Sequence, residues 1–472
     1  MKLVKRVLKI TAIVLVLLVA AFVVVVGPWP VYKASDHRQA PYYPAAVESI
    51  HKAAGLTRVS PDPDLLHAGW AVTDMTPKVG TPMGGYSARP DGKRSTGVRD
   101  PLFVKAVVLG DGEDLVAVVG SDMLQTLPNL LELVEAEVCA KTPLTPHNIM
   151  YTSSHTHCGP GALAPGMAAN ISYGKYDPEL VKFLAARFAE VIIKAHDTMA
   201  PAKLAHGAVD APEYIRNRTR KAPKDSTLNF AVLEKDSGER CVIARYSAHP
   251  TVFSEQMTEF TAEFPGAFQR AVERDTGATA VYLGGALGSS GPDCPVEGPP
   301  EVRIEAMGEG LAAHLAEGMQ NLEFKDHVDI ASLTSAFGVP SPQMRPFKPS
   351  WRVSPIFAGL FGLVPEGRIQ AARIGDMMLI GMPFDFSGET SLKWQAWAKE
   401  RGVNLWPTGF SGSYLGYLSP DEYYNVVDKG GNLNYETGLM SWFGPGMESY
   451  MTDLFQTIFQ ALDAPPKVAS AK

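Results

Sequence analysis

Two periods of apolar residues alternate along this chain. "LFVKAVVLG" (102–110) and "DLVAVVGSDM" (114–123) are short apolar runs parted by Gly and Asp, as in two strands joined by a turn. "LPNLLELVEAEVCAK" (127–141) then carries its apolar residues at helical spacing. "NIMYTSS" (148–154) is again strand-like, and "PELVKFLAARFAEVIIKAHDTM" (178–199) is an amphipathic helix. Strands follow at 229–235, 241–250 and 279–285, with helices at 264–277 and 302–322. "ARIGDMMLIGMPFDF" (372–386) predicts paired strands, and 387–402 and 447–462 predict the last helices. Helices interleaved with strands predict an α/β fold: one large twisted mixed β-sheet core flanked by helices, forming a single large domain over 66–463. No internal repeat is visible.

The N-terminus breaks this pattern. "MKLVKRVLK" (1–9) is basic, and "ITAIVLVLLVAAFVVVVG" (10–27) is an uncharged apolar run close to the ~20 residues that span a bilayer. No small-residue cleavage site follows it, so an uncleaved signal anchor is expected rather than a removed signal. The basic flank places residues 1–9 in the cytoplasm and the rest of the chain outside, in the periplasm or extracellular space. Residues 28–65, rich in Pro, Tyr and His, read as a linker with one short helix at 44–55. The tail 464–472 reads as disordered.

The chain has 472 residues and a formal net charge of −7, with no basic block. That argues against a nucleic-acid partner. Its four cysteines, Cys139, Cys158, Cys241 and Cys294, form no CxxC pair and no disulfide framework. Nothing in the sequence fixes an oligomeric state.

Candidate chemistry gathers at predicted strand ends. In "YTSSHTHCGPGA" (151–162), His155 and His157 stand at i and i+2, so on a strand they face the same way. A metal needs further donors from elsewhere in the fold. "RYSAHPTVF" ends a strand on His249, "IGMPFDF" places Asp385 past a very apolar strand, and "GFSGSYLGYLSPDEYY" carries Tyr414 and Tyr417. Each alone has a plain structural reading: a satisfied histidine, a packing tyrosine.

Together these stretches resemble the catalytic domain of the neutral/alkaline (non-lysosomal) ceramidases. "GWAVTDMTPKVGTPMGGY" is similar to that family's opening segment, and "SSHTHCGPGA" to its HTHSGPGG motif. "IRNRTR", "SAHPTVF", "IGMPFDF", "SYLGYLSPDEY" and "YETG" occur in the family's order. The resemblance implies a zinc amidohydrolase acting on an N-acyl lipid such as ceramide. It implies Zn²⁺ held by His155, His249, Asp385 and Tyr417, with His157 beside the metal and Arg218 and Tyr435 on the oxyanion. Asp385 stands where the family usually has Glu, one methylene shorter. The family's serine falls on Gly291, within "GGALGSSGPD", so the nucleophile is either a shifted Ser290 or zinc-bound water; Ser289 lies one residue further off. The family's immunoglobulin-like C-terminal domain does not follow the last predicted helix, which leaves the N-acyl substrate open. The rival readings are a catalytically inactive, metal-stabilised binding protein and a zinc esterase or peptidase on the same scaffold. Finally, "SPIFAGLFGLVPEG" (354–367) is expected to line the mouth of the site, with Phe357 and Phe361 receiving an acyl chain.

Overall fold

The computed structural model describes residues 2–463 apart from 34, 58, 59, 61, 364 and 365. The expected disordered tail and Val364 lie outside the described residues.

Twelve strands build the two main sheets. β1 (His67–Asp74), β2 (Phe103–Gly110), β3 (Leu115–Ser121), β4 (Ile149–Ser153), β5 (Ala200–Asp210), β6 (Thr227–Lys235), β7 (Arg240–Tyr246) and β8 (Thr279–Gly284) form one mixed sheet in the order β8-β7-β6-β5-β1-β2-β3-β4. Only the outer pairs, β3–β4 and β7–β8, are parallel. β9 (Ile330–Gly338), β10 (Glu366–Ile374), β11 (Met377–Gly381) and β12 (Asn404–Thr408) form a second sheet in that order, with β11 and β12 parallel. The large mixed sheet is as expected from the sequence; the second sheet was not separable from it by pattern.

The two sheets face each other across an apolar layer. Val107, Val116, Val118, Ile243, Val281 and Leu283 of the first meet Ile330, Ala372, Leu379 and Trp406 of the second, all essentially without solvent contact. α3 (Pro128–Lys141), α5 (Pro178–Asp197), α6 (Glu263–Thr276) and α7 (Pro300–Gly318) cover the outer face of the large sheet, and α2 (Tyr42–Ala54), α9 (Gly388–Lys399) and α10 (Met447–Asp463) cover the second. α5 shows why these segments are helical. Asp177 caps it by accepting from the backbone of Glu179 and Leu180 at 3.0 and 3.3 Å, and Pro178 opens the first turn. Leu180, Leu184, Phe188 and Ile192 then bury one face.

α1 (Lys2–Val25) is the predicted apolar run; its stretch Val4–Val25 has mean hydropathy 2.9 and is exposed along its length. Within the stretch 28–65, expected as a linker, α2 is instead packed into the body. Ala46, Ile50 and Ala53 of α2 are buried in the cluster that includes Leu333, Phe337 and Phe455. The Tyr- and Pro-rich composition disguised it, because only three small or branched side chains make the buried stripe.

This packing predicts that Ile50→Ala lowers stability by about 2–5 kcal/mol, as for other buried Ile truncations, while Glu48→Ala on the exposed face changes it little. Urea unfolding of the two variants checks this. Equal stability would return 42–54 to the status of a linker.

Candidate functional site

The histidines, Asp385 and Phe410 of the central cleft follow the C-terminal ends of strands that have a parallel neighbour. His155 comes two residues after β4, His249 three after β7, Asp385 four after β11 and Phe410 two after β12. The loop Gly285–Ser289 follows β8. Side chains and ligands gather beyond the carboxyl ends of parallel strands in α/β sheets generally. Close crossing makes this possible here: a Cβ on Gly284 would sit 2.4 Å from the Ser153 carbonyl, so only glycine lets β8 pass the end of β4.

Three imidazoles meet at one point. The Nε2 of His157 lies 3.3 Å from Nε2 of His155 and 2.9 Å from Nε2 of His249. His155 and His249 are buried; His157 is partly open. His155 donates from Nδ1 to the Leu124 carbonyl at 2.5 Å, and His249 from Nδ1 to the Leu287 carbonyl at 3.3 Å. Both Nε2 atoms are then lone-pair donors facing the cleft. Nδ1 of His157 points at the Gly85 backbone without a well-formed hydrogen bond. Its tautomer is left unfixed. Burial keeps all three rings neutral: it pushes His155 down to about 3 and the other two well below the usual range.

The backbone is strained where these rings are held. His155 has φ 65° and Phe410 φ 58°, and the two rings stack with centroids 3.7 Å apart at 15°. Left-handed conformations for such bulky residues persist only where the surroundings enforce them, and they cluster at functional sites. Gly85, at φ +100°, lies so close that a Cβ there would be 2.7 Å from Cγ of His157. Arg89, buried, donates to the carbonyls of His157 and Met257 and fixes the same turn.

Beside the imidazoles stands an acid–phenol–guanidinium group. Asp385 and Tyr417 are register partners in a short parallel pairing. Asp385 is fully buried, Oδ2 is 4.0 Å from Nδ1 of His249, and neither oxygen has a well-formed hydrogen bond. Burial pushes its carboxyl up to about 7, against the pull of Arg218 and the Tyr417 hydroxyl. Arg218 donates to the Gly288 carbonyl at 3.2 Å and to the Tyr417 hydroxyl at 3.1 Å. Burial opposes its charge, but Tyr417, Tyr435 and Asp385 around it outweigh that and hold it firmly protonated. Its guanidinium also lies 5.9 Å from the centroid of the Tyr435 ring, and Tyr435, 45% exposed, stands at the mouth.

Ser290 does not face this group. Its hydroxyl donates to the Ala286 carbonyl at 3.1 Å, and it pairs with Asn217 in a short antiparallel bridge. Successive residues of that strand point to opposite sides, and it is a Cβ on Gly291 that would meet Arg218, at 3.4 Å. Ser289 is engaged with Glu389, donating at 2.6 Å.

A layer of polar groups behind these residues has no pattern in the sequence. Arg220 bridges Glu389, at 2.8 Å, and Glu436; Asn217 donates to Glu389 at 3.0 Å; Ser387 donates to Glu436. These contacts tie together the segments that carry Arg218, Asp385 and Tyr435. The one available signal was proximity in sequence, each member lying within four residues of a site residue.

The donors fit a borderline metal ion. Two neutral imidazoles offer nitrogen, and Asp385 and Tyr417 offer oxygen; Asp385 is buried without a well-formed hydrogen bond, and Arg218 is the positive group that faces it. The ligand atoms of all three imidazoles, His155, His157 and His249, lie within 4.8 Å of one another, close enough to share one ion.

Residues 66–280 match the family described as neutral/alkaline non-lysosomal ceramidase, N-terminal. The fold is similar to that of the neutral ceramidase from Pseudomonas aeruginosa, with TM-score 0.72 and 19% identity, covering 88% of this chain and 76% of that one. It is also similar to a ceramidase solved in complex with C2, with TM-score 0.73 and 18% identity, covering 86% and 77%. No curated protein matches the chain. The segment that matches this family model takes in the two buried histidines and Arg218, and it lies on a fold shared with solved ceramidases.

Proposed function

We propose that this protein is a zinc-dependent amidohydrolase that cleaves the amide bond of an N-acyl lipid such as ceramide, held by α1 at a membrane with its catalytic domain outside the cytoplasm. The observation that carries the reading is the pair of buried imidazoles, His155 and His249, each held through Nδ1 so that its Nε2 lone pair turns into the cleft, with the buried carboxyl of Asp385 close by. His155, His249, Asp385 and Tyr417 would hold the metal. When bound, zinc supplies Lewis acidity at a carbonyl and lowers the pKa of water.

The remaining groups divide the work. Arg218 is permanently charged and fixed by Gly288 and Tyr417, so it meets negative charge without reorganising. Tyr435, at the mouth, presents a hydroxyl toward the same side. His157 is the imidazole whose tautomer nothing fixes, and it is the partly open one of the three. It takes a proton from the attacking oxygen and returns one to the leaving nitrogen. Ser290 is held away from Arg218 by its bond to Ala286, which favours water over this serine as the attacking group.

A panel of fluorogenic N-acyl amides and matching esters, run with metal-replete and chelator-treated protein, tests the reading. Activity on the amides that is lost on chelation and restored by zinc is expected. Ester turnover alone would mark an esterase, and no turnover of either would mark a binding protein.

His249→Ala is expected to lose both zinc and activity, whereas His157→Ala keeps about one zinc per chain and loses activity about 10²–10⁴-fold, the usual worth of a general acid–base group. Elemental analysis beside kinetics reads both. Loss of zinc from His157→Ala would make it a ligand.

Arg218→Met is expected to lower kcat about 10²–10³-fold with KM little changed, as for removal of one oxyanion donor. Ser290→Ala is expected to lose far less than His157→Ala. Inactive Ser290→Ala with zinc still bound would identify Ser290 as the nucleophile.

A further inference from the structure

α1 does not hang from the catalytic body by a loose tether. Ser354 donates its hydroxyl to the Val25 carbonyl, donates its backbone N–H to the Val26 carbonyl at 2.9 Å, and accepts from the Phe357 N–H at 3.0 Å. One buried serine thus closes the end of α1 and caps the start of α8 (Pro355–Phe361). Trp29–Pro30 pairs with Trp351–Arg352, and Trp29 donates from Nε1 to the Val23 carbonyl at 2.8 Å. The Tyr32 hydroxyl donates to the Ser341 carbonyl at 2.6 Å and lies 3.0 Å from those of Phe443 and Gly444. The point where an apolar span ends is therefore fixed relative to the fold.

What stands at that point is apolar. Ile356 and Leu360, one turn apart on α8, are 47% and 67% exposed, and Phe347 is 76% exposed. α4 (Met167–Tyr173) touches α8 and exposes Met167 and Ile171. Trp29, Tyr32 and Trp351 surround the end of α1 with Arg352 and Lys348 against their rings. Aromatic rings mixed with basic residues mark the interfacial zone of a bilayer. Phe357 and Phe361, expected at the mouth, turn inward instead and pack on Met344, Val353, Ala358 and Leu363. The Ser354 cap sets the helix phase that turns Ile356 and Leu360 out.

This surface connects to the cleft through rings. Trp442 packs on the same apolar cluster as Phe357 and Phe361 and meets Tyr414 at 5.4 Å, and Tyr414 stacks at 6.0 Å on Phe410, which lies on His155. On the other side, Tyr173 of α4 accepts the Ala162 N–H, just after the His155 turn.

We infer that α8, α4 and Phe347 form a foot that enters the interfacial layer of the same phospholipid leaflet from which α1 emerges, so that the cleft opens against the bilayer and takes its substrate from the membrane. The occupant is lipid because the surface is continuous with the end of a bilayer-length helix. The inference rests on the membrane-anchored reading given above.

The test uses the full chain in phosphatidylcholine vesicles, with the partly accessible Cys139 and Cys294 replaced by Ser. Single cysteines at Leu17, Leu360 and, as a control, Glu323 carry an environment-sensitive fluorophore, quenched by spin-labelled lipid or by aqueous iodide. Quenching of the Leu17 and Leu360 positions by lipid, and of Glu323 by iodide alone, is expected. Leu17 quenched by lipid with Leu360 reached by iodide overturns the foot and leaves the anchor. Leu360 shielded from both quenchers means a protein covers it, which also overturns the foot. Leu17 unquenched by lipid overturns the anchor and the foot with it. In the same vesicles, the double variant Ile356→Ser/Leu360→Ser is expected to lower turnover of a long-chain N-acyl amide in the bilayer about tenfold, with a soluble short-chain amide unchanged. Equal turnover of both by variant and parent overturns the inference.

Discussion

Two main-chain carbonyls, those of Leu124 and Leu287, hold the Nδ1 protons of His155 and His249, and the candidate site depends on that. With the protons so committed, two buried lone pairs face each other across a space where no donor of the main chain reaches them. Burial makes protonation of either ring costly, and it leaves Asp385 without a well-formed hydrogen bond. Buried polar groups are ordinarily satisfied. Three ring nitrogens this close, beside a buried carboxyl without a well-formed hydrogen bond, are an arrangement that a cation completes.

The fold supplies this arrangement by bringing strand ends together. Leu124 follows β3 and Leu287 follows β8, each the parallel neighbour of the strand that carries the histidine it holds. Glycine at 284 lets the ends of β4 and β8 cross in contact. The second sheet then brings Asp385 and Phe410 in from the opposite side. Two left-handed residues, His155 and Phe410, are stacked where the sheets meet. Each costs backbone energy of order 1–3 kcal/mol, which the packed layers of the sandwich offset.

Much of this was legible in sequence where the signal was local. The i, i+2 spacing of His155 and His157 reads directly from the pleat of a strand, and α5 announces itself through Asp177-Pro178 and its apolar stripe. The rest depends on contacts far apart in the chain. β12, "NLWPT", has a proline and no alternation, so only its pairing with β11 makes it a strand. Phe410 looks like an ordinary loop residue until it is found on His155. Arg220, Glu389 and Glu436 lie up to 216 residues apart and have no shared pattern. At Ser290 and Gly291 the sequence offered a serine near the right place, and one step of strand alternation decides which side it faces.

The same two imidazoles decide between an enzyme of this family's kind and a fold that has kept only its shape. The most direct measurement is an anomalous difference map at the zinc edge from crystals grown without added metal. The account predicts a single strong peak bonded to Nε2 of His155 and of His249, completed by Asp385 and Tyr417, with His157 adjacent but not bonded. No peak between those two rings, or a peak bonded to His157 in place of Asp385, would contradict it.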